Sequence, residues 1–83
     1  MKQLDLFPEE LRLVSIDPER NRRSYYALSV HRDLFGTWRL QREWGRIGRP
    51  GRMRLEVHAS VGAALDALES LGRAKLRRGY RLD

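Results

Sequence analysis

Residues 24–32 read Ser24-Tyr25-Tyr26-Ala27-Leu28-Ser29-Val30-His31-Arg32, and their alternation decides the fold. Tyr26, Leu28 and Val30 share one face of an extended chain, while Tyr25, Ala27, Ser29 and His31 share the other. A period of two in aromatic and β-branched residues predicts a strand with one face on a core. Asp33-Leu34-Phe35-Gly36 follows as a hairpin loop whose glycine can take positive φ. Thr37 to Trp44 is then the antiparallel partner, with Trp38, Leu40 and Trp44 in one register. Arg42 has the same parity as those apolar residues, which predicts a bulge or rim position there. Gly45 and Gly48 predict a break in the ladder, either to admit a ligand to the backbone or only to permit a bulge. Arg49-Pro50-Gly51-Arg52 carries the proline and glycine of a type II turn. Beyond it, Met53, Leu55 and Val57 alternate with Arg52, Arg54 and Glu56 as a third strand.

Outward from this unit the signals change. Leu11 to Ile16 alternates weakly and predicts an earlier strand, closed by the turn residues Asp17-Pro18-Glu19-Arg20-Asn21. Residues 1–9 predict a flexible leader, and residues 10–83 a single domain. After the third strand, Ser60 is placed to cap a helix. Val61, Ala64, Leu65, Leu68 and Leu71 form its apolar stripe. Gly72 inside that helix costs up to roughly 1 kcal/mol relative to alanine, so packing must offset it or the helix bends. Gly79 suits the position just past the helix end, and Tyr80-Arg81-Leu82 returns to the sheet. The expected fold is α+β: an antiparallel meander of three to five strands with one C-terminal helix packed across it.

Eighty-three residues suffice for one small core, and the chain contains no cysteine. Disulfides and thiolate metal sites are thereby excluded, which fits a reducing cytoplasm. No run approaches the roughly 20 apolar residues that would cross a bilayer, and the first residues do not read as a signal peptide. A soluble, cytoplasmic monomer is expected.

Charge is unevenly placed. The net charge is +6, yet residues 39–54 alone hold six arginines against one acid, Glu43. Residues 73–82 hold Arg73, Lys75, Arg77, Arg78 and Arg81 with no acid, and the first nineteen residues lean acidic. Complementing a helix dipole does not require so many cations. Such an asymmetry predicts a face for a polyanion, and arginine suits bidentate phosphate contacts. The sequence leaves open whether the acidic first nineteen residues fold over that face as an internal competitor.

Trp44-Gly45-Arg46 concentrates the chemistry: an aromatic plane, a bare backbone and a guanidinium side by side suit a nucleic acid. Leu34-Phe35-Gly36-x-Trp38 precedes it, Ile47-Gly48-x-x-Gly51 follows, and a basic helix end with Gly79-Tyr80 closes the chain. In that order and spacing, the sequence from about residue 24 to the end resembles the WGR domain family. Members of that family stand alone in bacteria or sit inside eukaryotic poly(ADP-ribose) polymerases. Residues 1–20 lie outside the resemblance. It implies a small antiparallel sheet with a packed helix and a nucleic-acid-binding role. In eukaryotic members the motif's tryptophan and arginine touch DNA near a strand break, and the matching positions here are Trp44 and Arg46.

The candidate nucleic-acid contacts are therefore Trp44, Gly45, Arg46, Arg49 and Arg52, with Arg73, Lys75, Arg77 and Arg78 from the helix end. DNA is favoured over RNA, read by backbone or end structure, because nothing resembles a helix for the major groove. Each residue also has a plainer reading. Trp44 can be a core or rim packing group, Arg46 can pair with Glu43 or another acid, and Phe35 can be a loop anchor or an exposed aromatic. A protein-docking module using the Trp44 region or the sheet edge is the alternative function. Catalysis has no support. His31 and His58 are isolated, Glu9-Glu10 form no acid–base pair, and Gly45-x-x-Gly48-x-x-Gly51 lacks the lysine of a phosphate-cradling loop. No cofactor or metal is expected.

Overall fold

A computed structural model describes residues 9–83 as one five-stranded antiparallel sheet with one helix across a face. In chain order the elements are β1 (Glu10–Asp17), a 3-10 turn (Pro18–Arg20), β2 (Arg22–Arg32), β3 (Trp38–Arg46), β4 (Arg52–His58), α1 (Val61–Arg77) and β5 (Arg81–Leu82). The sheet order is β4-β3-β2-β1-β5, so the chain meanders through four strands and returns beside the first. This is the expected α+β meander. Residues 1–8, most of the expected leader and eight of the nineteen residues considered as an internal competitor, lie outside the described residues. Glu9, assigned to that leader, is already tied to the sheet: its carbonyl accepts from the Val30 N–H at 2.9 Å.

The core lies between α1 and one sheet face, built from Leu13, Tyr26, Leu28, Val30 and Leu40 against Ala64 and Leu68. The β2 face predicted from alternation is thus the helix-covered one. Ser60 caps α1 as expected, its hydroxyl accepting from the Ala63 N–H at 3.1 Å. Gly72 is buried where the helix crosses β1, and a Cβ there would lie 2.5 Å from Leu11 Cδ2. Close approach to Leu11 explains the glycine; the packing offsets its low helix propensity.

Two expectations about β3 are corrected. There is no bulge at Arg42: the ladder with β2 runs regularly from Arg32↔Trp38 to Ser24↔Arg46, with Leu28 opposite Arg42 and Tyr25 opposite Gly45. The arginine occupies an apolar-parity position because its charge is satisfied there. Its Nη2 and Nε donate to the Tyr26 hydroxyl at 2.7 and 3.0 Å, and Nη1 donates to Glu56 Oε2 at 2.7 Å. Gly45 does not break the ladder either. A Cβ on it would sit 2.9 Å from Gly51 Cα, so the strand pair closes only because both residues are glycine.

The face away from α1 has no second layer among the described residues. Val14 and Tyr25, cross-strand partners, are nevertheless buried there. The Arg12 guanidinium covers the Tyr25 ring at 4.9 Å and is itself held by Asp83 at 2.8 Å. On β4 the register sends Arg52, Arg54, Glu56 and His58 to the helix side and leaves Met53, Leu55 and Val57 exposed on the open face.

Candidate nucleic-acid interface

The groove at the C-terminal end of α1 begins with a cross-strand pair. Tyr26 on β2 lies opposite Trp44 on β3, their ring centroids 5.8 Å apart and 15° from parallel. Trp44 packs against the core yet is only partly buried. The helix end supplies the next wall. Gly79, at φ +99°, lets its N–H bond the Leu76 carbonyl while Tyr80 N–H bonds the Lys75 carbonyl, both at 3.1 Å. This paired closure is a Schellman motif, and it turns the chain so that Tyr80 faces back toward the sheet.

Lys75 is the consequence. Its Nζ sits 4.3 Å from the Tyr26 ring centroid and 5.5 Å from that of Tyr80. The Arg42 guanidinium carbon lies 5.9 Å from both the Tyr26 and Trp44 centroids, and Arg22 covers Tyr80 at 5.5 Å. Tyr26, Arg42, Trp44, Lys75 and Tyr80, together with Gly45, line an open groove of about 310 Å³. Arg42 is ion-paired to Glu56, whereas Lys75 and Arg22, held over aromatic faces, remain able to attract an anion. The carbonyl end of the α1 dipole would repel that anion, and Lys75, Arg77 and Arg78 more than offset it.

The residues singled out from sequence divide by position. Trp44, Gly45 and Lys75 line the groove. Arg52 is the direct cross-strand neighbour of Trp44 on β4 and is exposed. Arg46, paired with neither Glu43 nor any other acid among the described residues, donates to the Asn21 carbonyl at 3.1 Å and to Asn21 Oδ1 at 3.2 Å. Asn21 is positioned for this by its left-handed backbone, φ 53° and ψ 39°. Two of five guanidinium N–H groups are thus used, leaving three without a partner among the described residues. Glu43 instead accepts from the Tyr25 hydroxyl at 3.1 Å, and burial together with that carboxylate raises the phenol's pKa. Arg49 is exposed in the turn, and Arg77 and Arg78 are exposed at the helix end. Arg73 is not brought to the groove. It lies with Leu11, Leu76 and Leu82 on the opposite flank of α1, beside Glu69 at 3.6 Å.

Sequence reading did not pick out Arg22 or Arg42 as contacts, and took Tyr26 and Tyr80 as residues of the sheet. The position of Tyr80 one residue past the helix-ending glycine was the available signal. Among the described residues no group of three or more His, Asp or Glu is placed to hold a metal ion, and no helix is long and apolar enough to cross a membrane.

The chain is similar to y4dW, an uncharacterized protein of Sinorhizobium fredii, with 40% identity over 74 residues. That match covers 89% of this chain and 36% of the relative, so the chain spans about a third of that protein's length. No solved structure matches. The family model of the WGR domain, a nucleic-acid-binding type of module, matches residues 9–83, extending the resemblance through β1. The chain belongs to the WGR domain family.

Proposed function

We propose that this domain binds DNA through the groove at the end of α1 and reads backbone or end structure rather than base sequence. The observation that carries this reading is Lys75. A cation from the second basic segment stands over Tyr26, beside Trp44 of the first. Two charge clusters distant in sequence thereby contribute to one aromatic-lined groove. Trp44 offers a stacking edge to a sugar or terminal base, while Lys75, Arg52 and the free N–H groups of Arg46 bind phosphates. Arg49, Arg77 and Arg78 extend the positive field on either side. Because α1 is packed on the sheet, the interface offers no helix for the major groove, which favours contacts to the phosphodiester chain.

Fluorescence anisotropy on blunt duplex, nicked duplex, single-stranded DNA and duplex RNA tests the reading. Binding of DNA that weakens with salt by a slope near −0.9 per phosphate contact is expected. It should be lost in the Trp44→Ala, Lys75→Gln double variant. Absence of binding at low salt, or binding indifferent to that variant, removes the proposal. A stronger complex with duplex RNA would reassign the ligand.

A second reading, as a protein-docking module, has one observation in its favour. Leu34 and Phe35 stand fully exposed on the β2–β3 turn, 101% and 91%. Asp33 fixes that turn by accepting from the Phe35 and Thr37 N–H groups, each at 2.9 Å. Phe35→Ser should leave DNA binding unchanged under either reading and abolish partner capture only under this one.

A further inference from the structure

β4 ends the sheet, and among the described residues nothing pairs with its outer edge. Its open-face residues Met53, Leu55 and Val57 are 61%, 47% and 62% exposed. An unpaired strand edge with an apolar row is a template for another strand. We infer that its occupant is β4 of a second copy of this chain, paired antiparallel about a two-fold axis through Leu55.

The strand's own sequence supports that occupant. Reversing residues 52–58 about Leu55 sets Leu55 against its symmetry mate and Met53 against Val57 on the open face. On the helix side the same register sets Arg54 against Glu56 and Arg52 against His58. Apolar therefore meets apolar and the acid meets an arginine, twice over by symmetry. Shifting the axis by one residue to Arg54 keeps Met53 against Leu55 and Arg52 against Glu56, but it sets Arg54 against Arg54 and leaves Val57 opposite Gly51, so the Leu55 register matches more of the strand. Glu56 has capacity for the contact. Its Oε2 is taken by Arg42 at 2.7 Å, while among the described residues Oε1 has only His58, at 3.6 Å. Two copies joined in this way form a ten-stranded sheet with both helices on the same side. The two Lys75–Trp44 grooves then open on one common face, where a single polyanion can span them. A symmetric dimer of this kind differs from the monomer expected from sequence.

The chain has no cysteine, which makes the test direct. In wild-type protein, sedimentation equilibrium should give twice 9.8 kDa at high concentration, falling toward 9.8 kDa on dilution. Leu55→Lys should remain at 9.8 kDa with an unchanged circular dichroism spectrum. Under mild oxidation Leu55→Cys should cross-link between copies at least ~10-fold faster than Ser70→Cys, since residue 55 faces its mate only in this register. A wild type that stays monomeric at every concentration overturns the inference. So does cross-linking of Leu55→Cys no faster than that of Ser70→Cys, which would cover residues 1–8 or another surface acting in β4's place. The cysteine variant decides the matter if Leu55→Lys does not fold.

Discussion

Trp44 stacks on Tyr26 from the adjacent strand, 5.8 Å between ring centroids, and Lys75 covers the same tyrosine from the helix end. The pair is structural support and candidate binding surface at once, so removing the indole should be felt twice. We expect Trp44→Ala to cost about 1–3 kcal/mol of stability, combining lost burial with a lost aromatic contact. Trp44→Phe should recover most of it. Urea denaturation monitored by circular dichroism gives the first effect and nucleotide titration the second. An alanine variant as stable as wild type would mean that the stack contributes nothing to folding.

The glycines of the motif separate into two kinds. Gly45 faces the Gly51 backbone, which cannot yield, whereas Gly48 has open space and a positive φ of 88°. Gly45→Ala should therefore cost about 1–3 kcal/mol through overpacking. Gly48→Ala should cost about 1 kcal/mol through backbone conformation alone, and Gly48→Asn less, because asparagine tolerates the left-handed region. Equal losses for Gly45→Ala and Gly48→Asn in chemical denaturation would show that contact with Gly51 is not what demands the glycine.

Much of this arrangement was legible because strands announce their period. Tyr26, Leu28 and Val30 alternate cleanly, and the helix-facing side of β2 followed from them. Period does not say which face is covered, however. Met53, Leu55 and Val57 alternate equally well, yet the β3–β4 register turns them outward. That register depends on Gly45 and Gly51 closing together, a contact between backbones that hydrophobic pattern does not encode. Arg42 misled for a related reason. A charge at an apolar position reads as a defect until Tyr26 and Glu56, from two neighbouring strands, are seen to satisfy it. The convergence of Lys75 with Trp44 was expected only in outline, since charge counts locate two basic segments in the chain and not in space. Arg73 belongs to the same segment but faces the other flank, because two residues along a helix turn the side chain by about 200°.

Acid should loosen the sheet at two points. Asp33 is held below its ordinary pKa of 3.8, first by the Thr37 N–H and then by Arg39, whose Nε lies 2.9 Å away. Glu56 is held below 4.5 chiefly by its hydrogen bond from Arg42. A carboxylate depressed in the folded state contributes stability that is complete above its unfolded pKa and lost as pH falls through the folded value. Stability should thus be flat from neutral pH to about 5 and fall below about 4.5. Thermal melts across pH 3–7 check this, and the fall should be shallower in Asp33→Asn, which starts from a lower plateau. Melting temperatures that rise on acidification would contradict both assignments.

Lys75 and Arg73 are two residues apart with the same charge, and the fold separates them. Lys75 borders Trp44 in the groove, while Arg73 sits near Leu82 beside Glu69. Either substitution by glutamine lowers net charge equally, so long-range attraction changes alike. Only Lys75→Gln removes a local phosphate contact. We expect it to weaken DNA binding by roughly 3–10-fold at low salt and to reduce the salt slope by about 0.9, the value for one neutralised phosphate. Arg73→Gln should change affinity by no more than about 2-fold, with its salt slope unaltered. Equal effects from the two substitutions would mean that the domain attracts polyanions through net charge alone, without using the groove that Tyr26, Trp44 and Tyr80 enclose.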